Sequence, residues 1–271
     1  MFQSKITRYT LWGALIYAST TLVVMYVSDY IIFPAPEPTY AANNPQVEYI
    51  RQGDAIVASR YMPVPEAKYT ILYSHGNRQD LGLLAPVMQR FNQQGYSVFA
   101  YDYRGYGHSN GTATETHAKQ DIRLAYEHLT ESLGVAPESI ILYGYSLGSG
   151  VTMDLAKEKV TAGVIVEGAF TSTYRTKIPI KVFPIDRFDS YAVVSQVTQP
   201  ILYLHGEDDS VIPVSHSHDL YHRTTAPSDI VTFSNHGHSS LTIKNSAEYW
   251  EIIQNWIDNF VETSETQHAS N

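Results

Sequence analysis

The sequence predicts an α/β fold, with a mostly parallel central sheet, helices on both faces and a short cap, preceded by one membrane-length helix. Three observations predict it. Short, β-branched apolar runs alternate with helix-length amphipathic stretches from about residue 45 onward. One of those runs, Ile140-Ile-Leu-Tyr143, passes abruptly into a helical pattern at Gly144-Tyr-Ser-Leu-Gly148. And the N-terminal stretch Tyr9 to Val27 carries no charge at all.

That stretch comes first in the chain. At 1.5 Å per residue its helix is about 28 Å long, close to the hydrocarbon thickness of a bilayer. Tyr9 and Trp12 stand near one end and Tyr26, Tyr30 and Phe33 near the other, as interfacial belts do, while Lys5 and Arg8 precede it. The positive flank predicts a cytoplasmic N-terminus and a domain on the exported side, whether periplasmic, extracellular or lumenal. A cleaved signal peptide is the rival, with Thr39-Tyr40-Ala41 as cleavage site. The apolar run is longer than a signal core and that site lies far beyond it, so an uncleaved signal anchor is the better fit. The expected divisions are 1–8, a short N-terminus; 9–33, the transmembrane anchor; and 34–44, a linker. The domain itself is expected at 45–262, its cap at about 173–199, with a polar tail at 263–271. Pro34, Pro36 and Pro38 make the linker a stiff spacer that holds the domain off the bilayer.

Val47–Ile50 and Ala55–Tyr61 flank Gln52-Gly53-Asp54 and read as an edge hairpin. Tyr69–Ser74 is a buried strand running into His75-Gly-Asn77, and Leu81–Gln94 a helix closed by Gly95. Tyr96–Tyr101 is the next strand, ending at Asp102-Tyr-Arg-Gly-Tyr-Gly107, and a helix follows over about Ala113–Leu133. After the Gly-x-Ser-x-Gly junction and its helix come strands at Gly163–Glu167 and Pro200–His205, separated by the cap. Ser215–Arg223 reads as helix, Asp229–Phe233 as the last strand, and Ala247–Phe260 as a closing amphipathic helix.

Composition removes several classes. The 271 residues carry a formal net charge of -9, which argues against nucleic acid as a partner, and the absence of cysteine excludes disulfides and thiolate chemistry. The close pairs His236-Gly-His238 and His216-Ser-His218 lack the helical, Glu-containing context of a zinc site, and no glycine-rich loop has phosphate-binding spacing. Neither metal nor cofactor is expected, and oligomeric state stays open.

A strand–Gly-x-Ser-x-Gly–helix junction is a nucleophile elbow: the tight turn holds Ser146 in a strained backbone conformation, and the helix N-terminus favours developing negative charge beside it. A serine needs a base, and the base an orienting acid. His238 follows the last strand and Asp209 stands in His205-Gly-Glu-Asp-Asp-Ser-Val-Ile-Pro213 after another, giving the order serine, acid, histidine. Asp208 and Glu167 are alternative acids. Asp102 and Arg104, at a strand end, read as a loop lock, and His205 as a brace for the Asp209 turn.

At these residues the chain resembles serine hydrolases of the α/β-hydrolase superfamily, most of all the short-capped, single-pass abhydrolase domain-containing group. The resemblance is carried by Tyr73-Ser-His-Gly-Asn77, Tyr101–Gly107, Gly144–Gly148, Phe170-Thr-Ser172 and Arg187-Phe-Asp-Ser190, and covers roughly residues 68–260. It implies an esterase or thioesterase acting on a small-molecule or lipid-like acyl substrate, with Ser146 as nucleophile, His238 as general base and Asp209 as its orienting acid. It also implies an oxyanion hole formed by the backbone N–H groups of Leu147 and Asn77. A serine peptidase and a non-catalytic anchored scaffold are the alternatives. In the cap, Tyr174, Ile178 and Phe183 are candidate acyl-binding residues, and Arg175, Lys177, Lys181 and Arg187 make the stretch locally basic. The shortness of the cap predicts a site open on one side.

Overall fold

The computed structural model describes residues 2–178, 180, 182–239, 241 and 247–261, with side chains from residue 8 onward. Lys181 of the basic cap and the polar tail at 263–271 lie outside the described residues. In chain order the elements are α1 (Phe2–Ile32), β1 (Glu48–Gln52), β2 (Ala55–Met62), β3 (Thr70–Ser74), α2 (Leu81–Gln93), β4 (Ser97–Tyr101), α3 (Glu115–Glu127) and β5 (Ile140–Tyr145). There follow α4 (Leu147–Ala156), β6 (Gly163–Glu167), α5 (Ser190–Val193), β7 (Ile201–Gly206), α6 (Ser215–Arg223), β8 (Ser228–Phe233) and α7 (Ala247–Trp256).

The strands form one sheet in the order β1-β2-β4-β3-β5-β6-β7-β8. β1, β2 and β4 pair antiparallel, and every other neighbouring pair is parallel. Because side chains alternate across a strand, each strand feeds two cores. Leu72, Leu142 and Val164 pack on one face; Tyr73, Ile141 and Ile165 pack on the other, with Phe91 of α2 and Trp250 and Ile253 of α7. Asp80 caps α2 by accepting from Leu83 N–H, and Thr114 caps α3 by accepting from His117 N–H. From β3 the chain steps outward to β4 and then returns to the other side of β3 as β5. The loops after β3 and β5 therefore diverge, and in open α/β sheets the crevice between such loops is where ligands bind.

The N-terminal helix departs from the expected free anchor. By length and composition Arg8–Ile32 can cross a membrane, yet the end of α1 is built into the domain. Ile32 and Phe33 are buried, and the Phe33 ring lies 6.1–6.5 Å from the rings of Tyr103, Tyr106 and Phe188. Arg187 reaches Ser28 Oγ at 3.1 Å, Met25 O at 3.0 Å, Asp29 Oδ2 at 3.4 Å and Glu115 Oε2 at 3.3 Å. Nor does the proline-containing linker hold the domain at a distance. Thr39 donates through its N–H and hydroxyl to Asp80, and Tyr40 Oη donates to Asp102 Oδ2 at 2.5 Å. The prolines stiffen a segment whose far end is fastened to the domain by hydrogen bonds, so stiffness here fixes position instead of distance.

Candidate active site

β5 ends at Tyr145 and α4 begins at Leu147, so a single residue, Ser146, makes the turn. Its backbone lies at φ 53° and ψ −118°, a conformation that costs a non-glycine residue about 1–3 kcal/mol. The surroundings hold it there. Ser146 N–H donates to Glu167 O at 2.9 Å, and Ser146 O accepts from Ser149 N–H at 2.9 Å and from Ser149 Oγ at 2.7 Å. Close packing requires the flanking glycines: a β-carbon on Gly148 would stand 2.0 Å from Ser74 O, and one on Gly144 2.7 Å from Gly148 O.

The structure brings the three predicted residues together. His238, in the loop after β8, has Nε2 2.8 Å from Ser146 Oγ and Nδ1 2.6 Å from Asp209 Oδ2. The Tyr145 hydroxyl donates to His238 O at 3.0 Å, fixing the loop from the residue before the serine. Asp209 Oδ1 accepts from the N–H groups of Val211 and Ile212, each at 2.8 Å. Burial opposes ionisation of that carboxyl, but the bonds from His205, His238 and Ile212 N–H outweigh it and hold Asp209 well below the usual carboxylate range. His205 braces the same turn, with Nε2 2.9 Å from Ile212 O and Nδ1 2.7 Å from Ser217 Oγ. Glu167 accepts hydrogen bonds from the Tyr143 hydroxyl and, at 3.4 Å, the Tyr249 hydroxyl beneath the turn. The close histidine pairs diverge, His236 Nδ1 towards Ser234 O and His216 Nδ1 towards Thr171 Oγ1.

Leu147 is the first residue of α4, so its N–H is among the four that find no acceptor within the helix. Asn77 stands opposite, in the loop after β3. The Tyr106 hydroxyl donates to Asn77 O at 2.9 Å, and Asn77 Nδ2 donates to Ile32 O, at the end of α1, at 3.4 Å. Behind that loop lies a buried polar cluster. His75 Nδ1 is 2.8 Å from Gly76 O and Nε2 3.5 Å from Asp102 Oδ1, and Asp102 also accepts from Leu81 N–H at 2.9 Å. Burial drives the two groups in opposite directions, His75 down to about 4 and Asp102 up to about 8. Asp102 and Arg104 make two locks instead of one, since Arg104 Nε bonds Asp121 Oδ1 at 2.6 Å.

Ser146 opens into an apolar cavity of about 590 Å³. Tyr174, Ile178 and Phe183 line it, as do Asn77 and Leu147. The cavity is open on one side, as the short cap predicts, and α1 forms part of its wall through Val23, Val24, Val27 and Ile31, of which Val23 and Ile31 remain exposed. Sequence reasoning gave the anchor no part in the site. The available signal was Ser28-Asp29, a polar pair ending an uncharged run in a chain that carries Arg187 among its cap cations.

Comparison with known proteins agrees with this architecture. A family profile described as serine aminopeptidase, S33, matches residues 65–183. Human alpha/beta hydrolase domain-containing protein 17B is 34% identical over 196 residues, covering 71% of this chain and 67% of its own length. The mouse 17C protein is 36% identical over the same share of this chain and 61% of its own length, so the chain spans about two thirds or less of these relatives. Among solved structures, an esterase from Pyrococcus furiosus superposes with a TM-score of 0.68 over 83% of this chain and 97% of its own, at 15% identity. An acylaminoacyl peptidase from Pyrococcus horikoshii gives a TM-score of 0.63 at 16% identity, over 80% of this chain but 41% of its own. At such identities the likeness is one of fold.

Proposed function

The chain belongs to the α/β-hydrolase superfamily, in the family of the alpha/beta hydrolase domain-containing 17 proteins, and from that membership we propose that it is a serine hydrolase cleaving carboxylic esters or thioesters of acyl chains. The observation that carries the proposal is the relay from Ser146 Oγ through His238 to Asp209, at 2.8 and 2.6 Å, beside an apolar cavity. Ser146 Oγ attacks the acyl carbonyl carbon while His238 Nε2 takes its proton, and the N–H groups of Leu147 and Asn77 stabilise the oxyanion. Collapse expels the alcohol or thiol, which receives the proton from His238, and leaves an acyl–Ser146 ester. Water, deprotonated by His238, then attacks that ester, releasing the carboxylic acid and restoring the serine. The apolar cavity suits the acyl side of the substrate, with the leaving group towards solvent.

The peptidase reading has the matched profile's description in its favour, but an aminopeptidase needs an anion to hold the substrate's ammonium. Among the described residues that line the cavity none is Asp or Glu, and the charged one is Lys177.

The test is fluorophosphonate labelling of the full chain and of Ser146→Ala, together with hydrolysis of p-nitrophenyl esters of increasing chain length. Labelling confined to the wild type, with an optimum above butanoyl, is the expected result. Absence of labelling in a folded wild-type protein overturns the proposal in favour of a non-catalytic scaffold.

A further inference from the structure

We propose that the apolar cavity opens into the bilayer, with α1 as its membrane-side wall, so that the long acyl chain of a membrane-resident ester reaches Ser146 laterally along this helix. The inference rests on the hydrolase reading above and names where its substrate comes from.

The first observation is the wall itself. Val23, Val24, Val27 and Ile31 recur at the spacing that places residues on one helix face, and they share a cavity with Ser146, Leu147 and Asn77. An acyl chain extending from the serine therefore lies against the helix read as the anchor.

The second is how early the domain meets that helix. The Tyr17 hydroxyl donates to Val182 O at 2.8 Å, and the Tyr17 ring stacks on Phe183 at 6.5 Å. From Arg8 to Ile16 the helix precedes those contacts, about 14 Å at 1.5 Å per residue, while the hydrocarbon core is about 30 Å thick. An apolar helix placed in a bilayer thus carries its neighbouring cap segment in with it. The alternative leaves Leu11, Trp12, Leu15 and Ile16, each 57–64% exposed, in water together with Leu22 at 65%, the kind of exposed apolar surface that marks a membrane or protein contact.

The cap's exposed apolar side chains suit that position, with the basic groups of Arg175 and Lys177 within reach of lipid head groups along their stems. Ile178, Ile180 and Val182 are exposed at 42%, 69% and 42%, beside Val211 at 46%. The Tyr17 hydroxyl also supplies a donor to the carbonyl of Val182, which lies outside regular structure, and an apolar medium makes such a partner necessary. The water level is marked by Asp29, Glu115 and Arg187. Val23 lies six residues before Asp29, about 9 Å along the helix, so the cavity wall sits within the depth that interfacial elements reach.

Two measurements on the full chain in phosphatidylcholine vesicles test this. Because the chain has no cysteine, Ile180→Cys accepts a single environment-sensitive fluorophore, and quenching by lipids spin-labelled along the acyl chain is the expected result. No quenching overturns the inference even if esters are hydrolysed. The second measurement is the ratio of kcat/KM for dodecanoyl over butanoyl p-nitrophenyl esters. Val27→Trp, which fills the cavity from the helix side, is expected to lower it at least tenfold, and Leu22→Trp, on the exposed face, to change it less than threefold. An unchanged ratio in Val27→Trp, or an equal fall in both variants, overturns it. Failure of the hydrolase reading is distinguished by loss of fluorophosphonate labelling in the wild type, and it removes this inference as well.

Discussion

Changing Asp209 to asparagine alters one atom of the site and tests the proposed relay with little threat to the fold. The Asp209 side chain is 1% exposed and every direction around it is occupied. Oδ1 takes the two N–H groups of Val211 and Ile212, while Oδ2 faces His238 Nδ1 at 2.6 Å and His205 Nε2 at 3.3 Å. Only the amide oxygen of Asn can accept those two N–H bonds, so its NH2 must turn towards His238. An NH2 there donates, which forces Nδ1 to accept and leaves the ring proton on Nε2, pointing at Ser146 Oγ. The histidine can then no longer take the serine's proton, and such a tautomer reversal in a serine triad costs about 10⁴-fold in kcat. Loss of one charge-assisted bond should destabilise by about 1–3 kcal/mol, or a few degrees in Tm for each kcal/mol at this size.

The pH dependence carries a sign. The folded carboxyl is depressed below its ordinary value of 3.8, so its contribution is present above that pH and fades as pH falls towards the folded value. The wild type's advantage in Tm over Asp209→Asn should therefore be full at pH 7 and shrink below about pH 4. The assay is kcat on p-nitrophenyl butyrate, with calorimetry from pH 3 to 8. A variant that keeps more than a tenth of wild-type kcat refutes the assignment and turns attention to Asp208 or Glu167 as the orienting acid.

The elbow, the buried acid and the helix clasp each make a separate prediction. Gly148→Ala places a β-carbon 2.0 Å from Ser74 O, so the strand end or the serine must move by about 1 Å; kcat should fall about 10²-fold and stability by about 1–3 kcal/mol, read by kinetics and thermal melting. Burial holds Asp102 at about 8, so its proton favours the native state: wild-type Tm should decline as pH rises from about 4 to about 8 relative to Asp102→Asn, and parallel Tm curves for the two proteins would contradict this. Arg187→Met removes four bonds to α1 and Glu115 from a side chain that is 20% exposed. After discounting for that exposure the loss is about 1–2 kcal/mol, so hydrogen exchange of the amides around Tyr30 to Phe33 should accelerate about 5- to 30-fold, with the sheet unaffected.

How much was legible in the sequence follows from which contacts are local. The strands read well because parallel strands buried on both faces are continuous apolar runs: Gly163–Glu167 was predicted at the bounds observed. The pairing of β3 between β4 and β5 could not be read, since it depends on where distant chain segments meet. Nor could the π turns that end α3 and α7, His128–Ser132 and Ile257–Val261, which sit inside uninterrupted helical patterns. Ser146, Asp209 and His238 were visible because each follows a strand at the same edge of the sheet, and strand ends are marked in sequence. Tyr174, Ile178 and Phe183 were found as apolar residues near the serine in order, and they do line the cavity. The part played by α1 was hidden for a physical reason. A helix that is apolar all round shows no stripe to distinguish a face touching protein from a face touching lipid, so only Ser28 and Asp29 hinted that its end meets the domain.

The short cap and the docked helix solve one problem between them. Much of the cap is committed to fixing itself: Asp186 accepts from Ser172 Oγ at 2.6 Å, Arg187 holds α1, and Asp189 caps α5 by accepting from Ala192 N–H. What remains, roughly Tyr174 to Phe183, cannot alone wall off an apolar cavity of about 590 Å³ from water. Leaving such a surface wet costs about 25 cal/mol for every Å² of apolar area, and a larger cap would be the usual remedy. Here α1 supplies the missing wall, and the end of that helix is bonded to the loop that carries Asn77, through Asn77 Nδ2 to Ile32 O. A segment that would otherwise only locate the enzyme therefore also shapes its pocket and steadies one of its proposed oxyanion donors. Cutting the chain after residue 33 would strip a wall from the cavity and a ring from among Tyr103, Tyr106 and Phe188. The N-terminal helix and the hydrolase domain are consequently one physical unit, and measurements on a domain cut after residue 33 would describe a different pocket.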